Sequence, residues 1–290
     1  MTILLSGSTG FLGSYLLKLF IRDGYKVIAL KRSTSNISRI DKFLNSIVIY
    51  DIDKIELSQI FKNHKINIVV NTVINYGRKD NKLTSVLDTN LMFNLNLLEV
   101  SIASNIKAFV NADTLLDRRI NAYALSKAQF VDWMKFLSNK NTKMINIKIE
   151  HMYGLEDDEN KFIYWLVNKL EQNVEKIDLT SGVQKRDFIY IDDIVNAYKI
   201  IIGNIDKFSN YEEFELGSGH SIEVKKFVKK IYEEIYNKQV LNTKLNFGVI
   251  PYRDNENMNI EVNLDKILNL GWKPKVFFEE GIKRIIEGKS

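Results

Sequence analysis

The chain has no cysteine, which excludes structural disulfides, thiolate zinc sites, iron–sulfur clusters and cysteine nucleophiles. Its histidines are three, His64, His151 and His220, and their spacing forms no local metal-ligand pattern, so no metal is expected. Any redox chemistry must then use a borrowed organic cofactor. There are two prolines, Pro251 and Pro274, and no Pro-rich hinge, low-complexity linker or internal repeat divides the chain. Long hydrophobic runs are also missing: the stretch from Ile66 to Val73 is much shorter than a bilayer crossing requires. No basic, then apolar, then small-residue leader precedes the strand-like run at Thr2. The expectation is a cytoplasmic protein with no membrane partner.

What is present is enough for a large core. With 290 residues, 45% of them hydrophobic, the chain can bury one large domain or two closely joined smaller ones. A formal charge of +5 and a pI near 9.0 suit an anionic partner, either nucleic acid or a phosphorylated small molecule. No Lys/Arg run of the nucleic-acid type occurs, so no nucleic-acid partner is expected. Basic residues carry an argument only where they stand at particular turns.

Apolar, β-branched runs at Thr2 to Ser6, Lys26 to Leu30, Ile47 to Tyr50, Ile66 to Val73, Ala108 to Asn111 and Met144 to Ile149 alternate with helical patterns at 11–23, 54–63, 84–104 and 123–139. That alternation predicts an α/β fold, a Rossmann-type doubly wound parallel sheet, because parallel strands need helical crossovers. After Tyr153 the rhythm loosens into an amphipathic stretch at 161–171, a strand at 186–190 and a helix at 223–236. The expected division is a dinucleotide-binding domain over 1–153, with 187–204 returning to it, and a smaller α+β substrate-binding part over 154–290.

Gly7, Gly10 and Gly13 stand at G-x-x-G-x-x-G spacing between the first strand and first helix. Backbone without β-carbons can approach a pyrophosphate there, and the helix N-terminus attracts its charge. The second strand ends in Lys31-Arg32-Ser33, where NAD-preferring dinucleotide folds carry an acidic residue. Two cations and a hydroxyl suit the 2′-phosphate of NADP(H), and a solvated charged turn is the alternative. Tyr123 and Lys127 form Y-x-x-x-K, so they share one helix face. A fixed ammonium brings a tyrosine's pKa toward working pH and makes it a usable proton donor.

Taken in order, these motifs resemble the extended short-chain dehydrogenases/reductases, the NAD-dependent epimerase/dehydratase family, over nearly the whole chain. The resemblance implies a catalytic set of Asn90, Thr114, Tyr123 and Lys127, although a helix-face amide and a strand-end capping hydroxyl are the plain alternatives for the first two. It implies a cofactor set of Gly7, Thr9, Gly10, Phe11, Leu12 and Gly13 at the turn. Lys31, Arg32 and Ser33 follow at the ribose, Asp51 and Ile52 at the adenine, and Asn71, Tyr123 and Lys127 complete the set. Tyr153-Gly154, Arg186-Asp187-Phe188, Gly217-Ser218-Gly219 and Leu270-Gly271-Trp272 are similar to nucleotide-sugar members. In that reading Thr114, His151, Arg186 and Arg253 contact the substrate, the arginines through its diphosphate. A packed histidine and surface ion pairs are the alternatives.

The loop between Thr114 and Tyr123 is shorter than most extended members carry, and its residues look most like those of CDP-abequose and CDP-paratose synthases. Leu115 and Leu116 stand where 4,6-dehydratases place Asp-Glu, and two leucines supply no acid or base. The implied activity is NADPH-dependent reduction of the C4 ketone of a nucleotide-diphosphate deoxysugar, for cell-surface polysaccharide such as lipopolysaccharide. A 4-epimerase is the main alternative, then a dehydratase, then a non-enzymatic NADP-binding regulator. The resemblance also implies a homodimer through the helices at 84–104 and 123–139, with Leu91, Leu95, Leu98, Phe130, Met134 and Leu137 available to core and interface.

Overall fold

The protein is represented by a computed structural model that describes residues 1–77, 82–138 and 141–288. It divides into two units, Met1–Ile149 with Ala197–Glu215, and Glu150–Asn196 with Leu216–Ser290.

The first unit is built as strand, helix, strand from the start: β1 Thr2–Ser6, α1 Phe11–Arg22, β2 Lys26–Lys31, β3 Val48–Asp51, α2 Leu57–Asn63 and β4 Ile68–Asn71. Then come α3 Leu83–Leu87, a π-helical turn Asp88–Phe93, α4 Asn94–Ala103, β5 Ala108–Thr114, α5 Ala122–Phe136 and β6 Lys143–Ile149. The chain continues into β7 His151–Tyr153, α6 Phe162–Glu171, β8 Lys176–Leu179, β9 Lys185–Tyr190 and α7 Ile191–Gly203. It finishes with β10 Tyr211–Leu216, β11 Ser221–Glu223, α8 Val224–Tyr236, β12 Lys244–Phe247, α9 Asp265–Asn269 and α10 Phe278–Gly288.

The main sheet has the order β10-β6-β5-β4-β1-β2-β3, and β3, β2, β1, β4, β5 and β6 pair in parallel throughout. This is the Rossmann-type α/β fold. The order reverses at β1, so the carboxyl ends of β1 and β4 flank the switch point where such sheets bind ligands. Ile3, Leu4 and Leu5 of β1 and Ile68, Val69 and Val70 of β4 are fully buried, as parallel strands covered on both faces must be. Against them lie Leu97, Leu98, Phe109, Phe130 and Met134. Leu98, Phe130 and Met134 are therefore core residues, and the apolar side chains that α5 exposes are Leu125, Trp133 and Phe136, the last 77% exposed.

The helical pattern at 84–104 is not one α-helix. It widens into the π turn at 88–93, where Asn94 Nδ2 donates to the Asn90 carbonyl at 2.9 Å; single π turns of this kind recur at functional sites. The run at 66–73 gives a strand only at Ile68–Asn71, because the ladder with β1 ends at Ser6↔Asn71, where the chain turns into glycine.

In the second unit a small sheet of order β11-β9-β7 pairs β11 antiparallel and β7 parallel to β9, while β12 and β8 form a parallel pair. Phe188 of β9 stacks on Phe227 of α8 at a centroid distance of 3.8 Å, and Tyr153 meets both rings edge-on. Asp193 accepts from the amides of Lys275 and Val276 at 3.0 and 2.9 Å, which pins the segment before α10.

Candidate active site

The glycine turn is compact because its residues leave no room for β-carbons. Gly7 has φ +73, and a β-carbon there would sit 2.6 Å from Thr72 Oγ1 and 2.8 Å from the Thr72 carbonyl carbon. At Gly13 it would lie 2.1 Å from the Gly7 oxygen. Gly10 N–H donates to the Gly7 carbonyl at 3.0 Å, and Gly10 precedes the first residue of α1. Phe11 and Leu12 point into the core, whereas Thr9 is half-buried. The cradle suits a pyrophosphate at a helix N-terminus.

The turn after β2 is more acidic in surroundings than its own residues suggest. Ser33 Oγ donates to Asp51 Oδ2 at 2.7 Å, its amide to Asp53 Oδ2 at 2.7 Å, and Lys31 Nζ lies 3.5 Å from Asp51. The Ser33 hydroxyl, with help from Lys31, holds the Asp51 carboxyl below the usual carboxylate range. Ile52 N–H donates to the Lys31 carbonyl at 2.9 Å. Arg32 is exposed and makes no ion pair among the described residues. Asn71 is buried, its oxygen accepting from Ser6 Oγ at 2.6 Å and its nitrogen donating to Asn111 at 3.1 Å. Its amide is engaged inside the sheet.

Thr114 ends β5, its hydroxyl oxygen accepting from the Leu116 amide at 3.2 Å. The Asn121 side chain caps α5 by accepting from Ala124 N–H at 2.8 Å, a favourable start for a helix. Tyr123 is therefore held in the first turn of α5, its buried ring 5.1 Å from that of Tyr76. One turn on, Lys127 is 2% exposed and its ammonium donates to the Ala112 carbonyl. Burial pushes the Lys127 pKa down, and Asp113 opposes that shift.

Asn90 works through three hydrogen bonds. Its oxygen accepts from Asn75 N–H at 2.7 Å, and its nitrogen donates to the Asn75 carbonyl at 2.9 Å and to Ser126 Oγ at 3.0 Å. Ser126 in turn donates to the Tyr123 carbonyl at 2.9 Å. The loop after β4 and the start of α5 are tied together at this amide. Asn75 and Ser126 escaped the sequence reading, since Asn75 stands in no motif and Ser126 occupies an unspecified position of Y-x-x-x-K.

The remaining candidates are in the second unit. His151 Nδ1 lies 2.6 Å from Glu150 Oε1, with the carboxylate buried and the imidazole partly exposed. Arg186 is buried: it pairs with Glu256 and donates to the carbonyls of Lys185 and Asn257 at 2.6 and 2.7 Å. Burial lowers its pKa against the opposing carboxylates of Glu256 and Glu150. Arg253 is 64% exposed and donates to the other Glu256 oxygen at 3.0 Å. Glu150 and Glu256 were also missed, their only signal being adjacency to His151 and Arg253. Among the described residues no group of three or more His, Asp and Glu could hold a metal ion, and no helix is long and apolar enough to cross a membrane.

The sequence profile of the NAD dependent epimerase/dehydratase family matches residues 3–217. The chain belongs to that family. A CDP-abequose synthase of Salmonella muenchen is 32% identical over 296 residues, covering 99% of this chain and 98% of that protein. A dTDP-4-dehydro-6-deoxyglucose reductase of Escherichia coli is 25% identical over 316 residues, covering 98% and 96%. Among solved structures, a UDP-glucose 4-epimerase of Thermotoga maritima with UDP-glucose superimposes with a TM-score of 0.83 at 24% identity, covering 99% of this chain and 98% of that one. The Thermus thermophilus UDP-glucose 4-epimerase complex with NAD gives 0.80 at 19%, covering 99% and 98%. Both share the epimerase/dehydratase-family fold.

Proposed function

We propose that this family member is a nucleotide-sugar-modifying oxidoreductase, an NADPH-dependent reductase of the C4 ketone of a nucleotide-diphosphate deoxysugar. A CDP-4-keto-3,6-dideoxyhexose is the first candidate substrate. The observation that carries the reading is the buried Lys127 one helical turn from Tyr123, beside the end of β5 and in the unit that holds the glycine cradle. The full-length similarity to CDP-abequose synthases and to a 4-keto-deoxysugar reductase supports the substrate class.

The glycine cradle would hold the dinucleotide's pyrophosphate and Lys31 and Arg32 its 2′-phosphate. NADPH, when bound, supplies the hydride. Tyr123 gives its phenolic proton to the C4 oxygen as that oxygen gains charge, and Thr114 hydrogen-bonds the same atom. Lys127 steadies the nicotinamide ribose and stabilises the phenolate left on Tyr123. Asn90 keeps the first turn of α5 in place through Ser126. His151 and Arg253, with Arg186 behind them, belong to the substrate side, in the α+β part. The enzyme acts in the cytoplasm as a homodimer, for which Leu125, Trp133 and Phe136 offer an apolar surface.

One observation favours a second reading. Asp51 and Asp53 stand beside Ser33, and carboxylates at the adenosine ribose suit NAD, the cofactor a 4-epimerase retains. The two readings part in one experiment: a panel of 4-keto sugar nucleotides and their 4-hydroxy counterparts is incubated with NADPH and the products identified. Stoichiometric NADPH oxidation is the expected result, and interconversion of 4-epimers without net oxidation contradicts it.

A further inference from the structure

A line of side chains crosses the main sheet at one level. Ser6, Asn71, Asn111 and Asn146 face one another in register on β1, β4, β5 and β6, and all four are fully buried. Ser6 Oγ donates to Asn71 at 2.6 Å, Asn71 Nδ2 to Asn111 at 3.1 Å, and Asn111 Nδ2 to Asn146 at 2.9 Å. Asn71 and Asn111 thus accept from the β1 side and donate toward β6. A chain of that polarity has to end on acceptors, and Asn146 Nδ2 ends it between Asp113 Oδ2 at 2.9 Å and Glu213 Oε2 at 3.1 Å.

The two carboxylates are not equivalent. Glu213 is paired with Lys148 at 2.6 Å and accepts from Tyr211 at 2.9 Å. Asp113 is buried and makes no ion pair within contact distance among the described residues. The ammonium of Lys127, itself buried, donates to the carbonyl of the residue just before it, Ala112. A buried ammonium keeps its proton only with a compensating negative charge.

We propose that Asp113 is a positioning residue that supplies the counter-charge to Lys127, and that the Ser6–Asn71–Asn111–Asn146 line holds its carboxylate for that purpose. This rests on the reading of Tyr123 and Lys127 as the catalytic pair. The charges involved are few. Asp113 of β5 acts on Lys127 across the helix–sheet contact, and Tyr123 lies on the lysine's own helix. Asp113 is also felt by Tyr198 of α7, Tyr211 of β10 and Lys148 of β6, the last neutralised by Glu213.

The test is NADPH affinity and turnover against pH for wild type, Asp113→Asn and Glu213→Gln. Burial already lowers the Lys127 pKa, so removing its counter-charge lowers it further. The alkaline loss of NADPH binding and of turnover is expected to move down by about one pH unit or more in Asp113→Asn, and to stay in place in Glu213→Gln. An unmoved alkaline limb in Asp113→Asn overturns the proposal.

Should Asp113→Asn unfold, the cycle with Lys127→Met decides by denaturation. Asp113→Asn is expected to cost little stability once the ammonium is gone, and additive losses overturn the pairing. Full turnover in Lys127→Met would instead remove the catalytic reading. The binding limb and the cycle still report on the charge pair in that case.

Discussion

Replacing Gly13 by alanine puts a β-carbon where the turn has no space, and its cost can be worked from the backbone. The added carbon would lie 2.1 Å from the Gly7 oxygen, 2.8 Å from the Gly7 carbonyl carbon and 3.0 Å from Ser8 Cα. All three are main-chain atoms, so no side-chain rotation relieves them; α1 must move away from the turn. Overpacking of this sort costs typically 1–3 kcal/mol, and about 3 kcal/mol is expected because the Gly7 carbonyl also accepts from Gly10. At about 2–4 °C per kcal/mol the melting temperature should fall by about 6–12 °C. Gly10→Ala meets one contact, 3.3 Å from the same oxygen, and is expected to cost less than about 1 kcal/mol. Gly7→Ala combines φ +73 with Thr72 atoms within 2.9 Å, and falls nearer Gly13→Ala. Thermal denaturation by circular dichroism and NADPH titration at a temperature where all variants are folded measure the series. A Gly13→Ala protein with wild-type melting temperature and NADPH affinity would refute the docking of α1 on the turn.

Arg32→Ala is expected to weaken NADPH binding about ten- to a hundredfold, one charge-assisted contact, and to leave NADH nearly unchanged; equal effects in fluorescence titrations would remove the 2′-phosphate assignment. Arg253→Ala is expected to raise KM for the sugar nucleotide with NADPH affinity unchanged, whereas loss of NADPH binding would place it with the cofactor. Tyr123→Phe deletes the acidic hydroxyl and keeps the ring, so kcat is expected to drop about 10²–10⁴-fold with little change in melting temperature. Full turnover on the verified substrate would send the search for the proton to His151 and its Glu150 partner.

The strand-turn-helix at the N-terminus was legible because a continuous apolar run, three glycines and a helical period follow one another within 23 residues. Alternation of runs was enough for the parallel sheet, since it leaves few other ways to connect buried strands. The side-chain partners were not legible in the same way. Asn71 looks like a residue at a strand end facing ligand, yet its amide is one rung of a ladder created by the register of four strands. Asp51 meets Ser33 and Lys31 only because β3 pairs with β2 at Lys31↔Asp51. Arg186 and Arg253 read as cations for a diphosphate, with ion pairs as the alternative, and both pair with Glu256, which a turn that sequence spacing does not announce brings between them. Long-range register and close turns decide these contacts, and local pattern does not encode them.

The central claim is net hydride transfer to a keto sugar, and isotope transfer tests it most directly. The protein is incubated with a CDP-4-keto-3,6-dideoxyhexose and NADPH deuterated at the transferred position, and the sugar product is examined by mass spectrometry and NMR. One deuterium at C4 per NADPH oxidised, in a single C4 configuration, is the predicted result. Unlabelled ketone recovered with NADPH unconsumed, together with inversion at C4 of the corresponding 4-hydroxy sugar nucleotide, would contradict the account and leave an epimerase in its place.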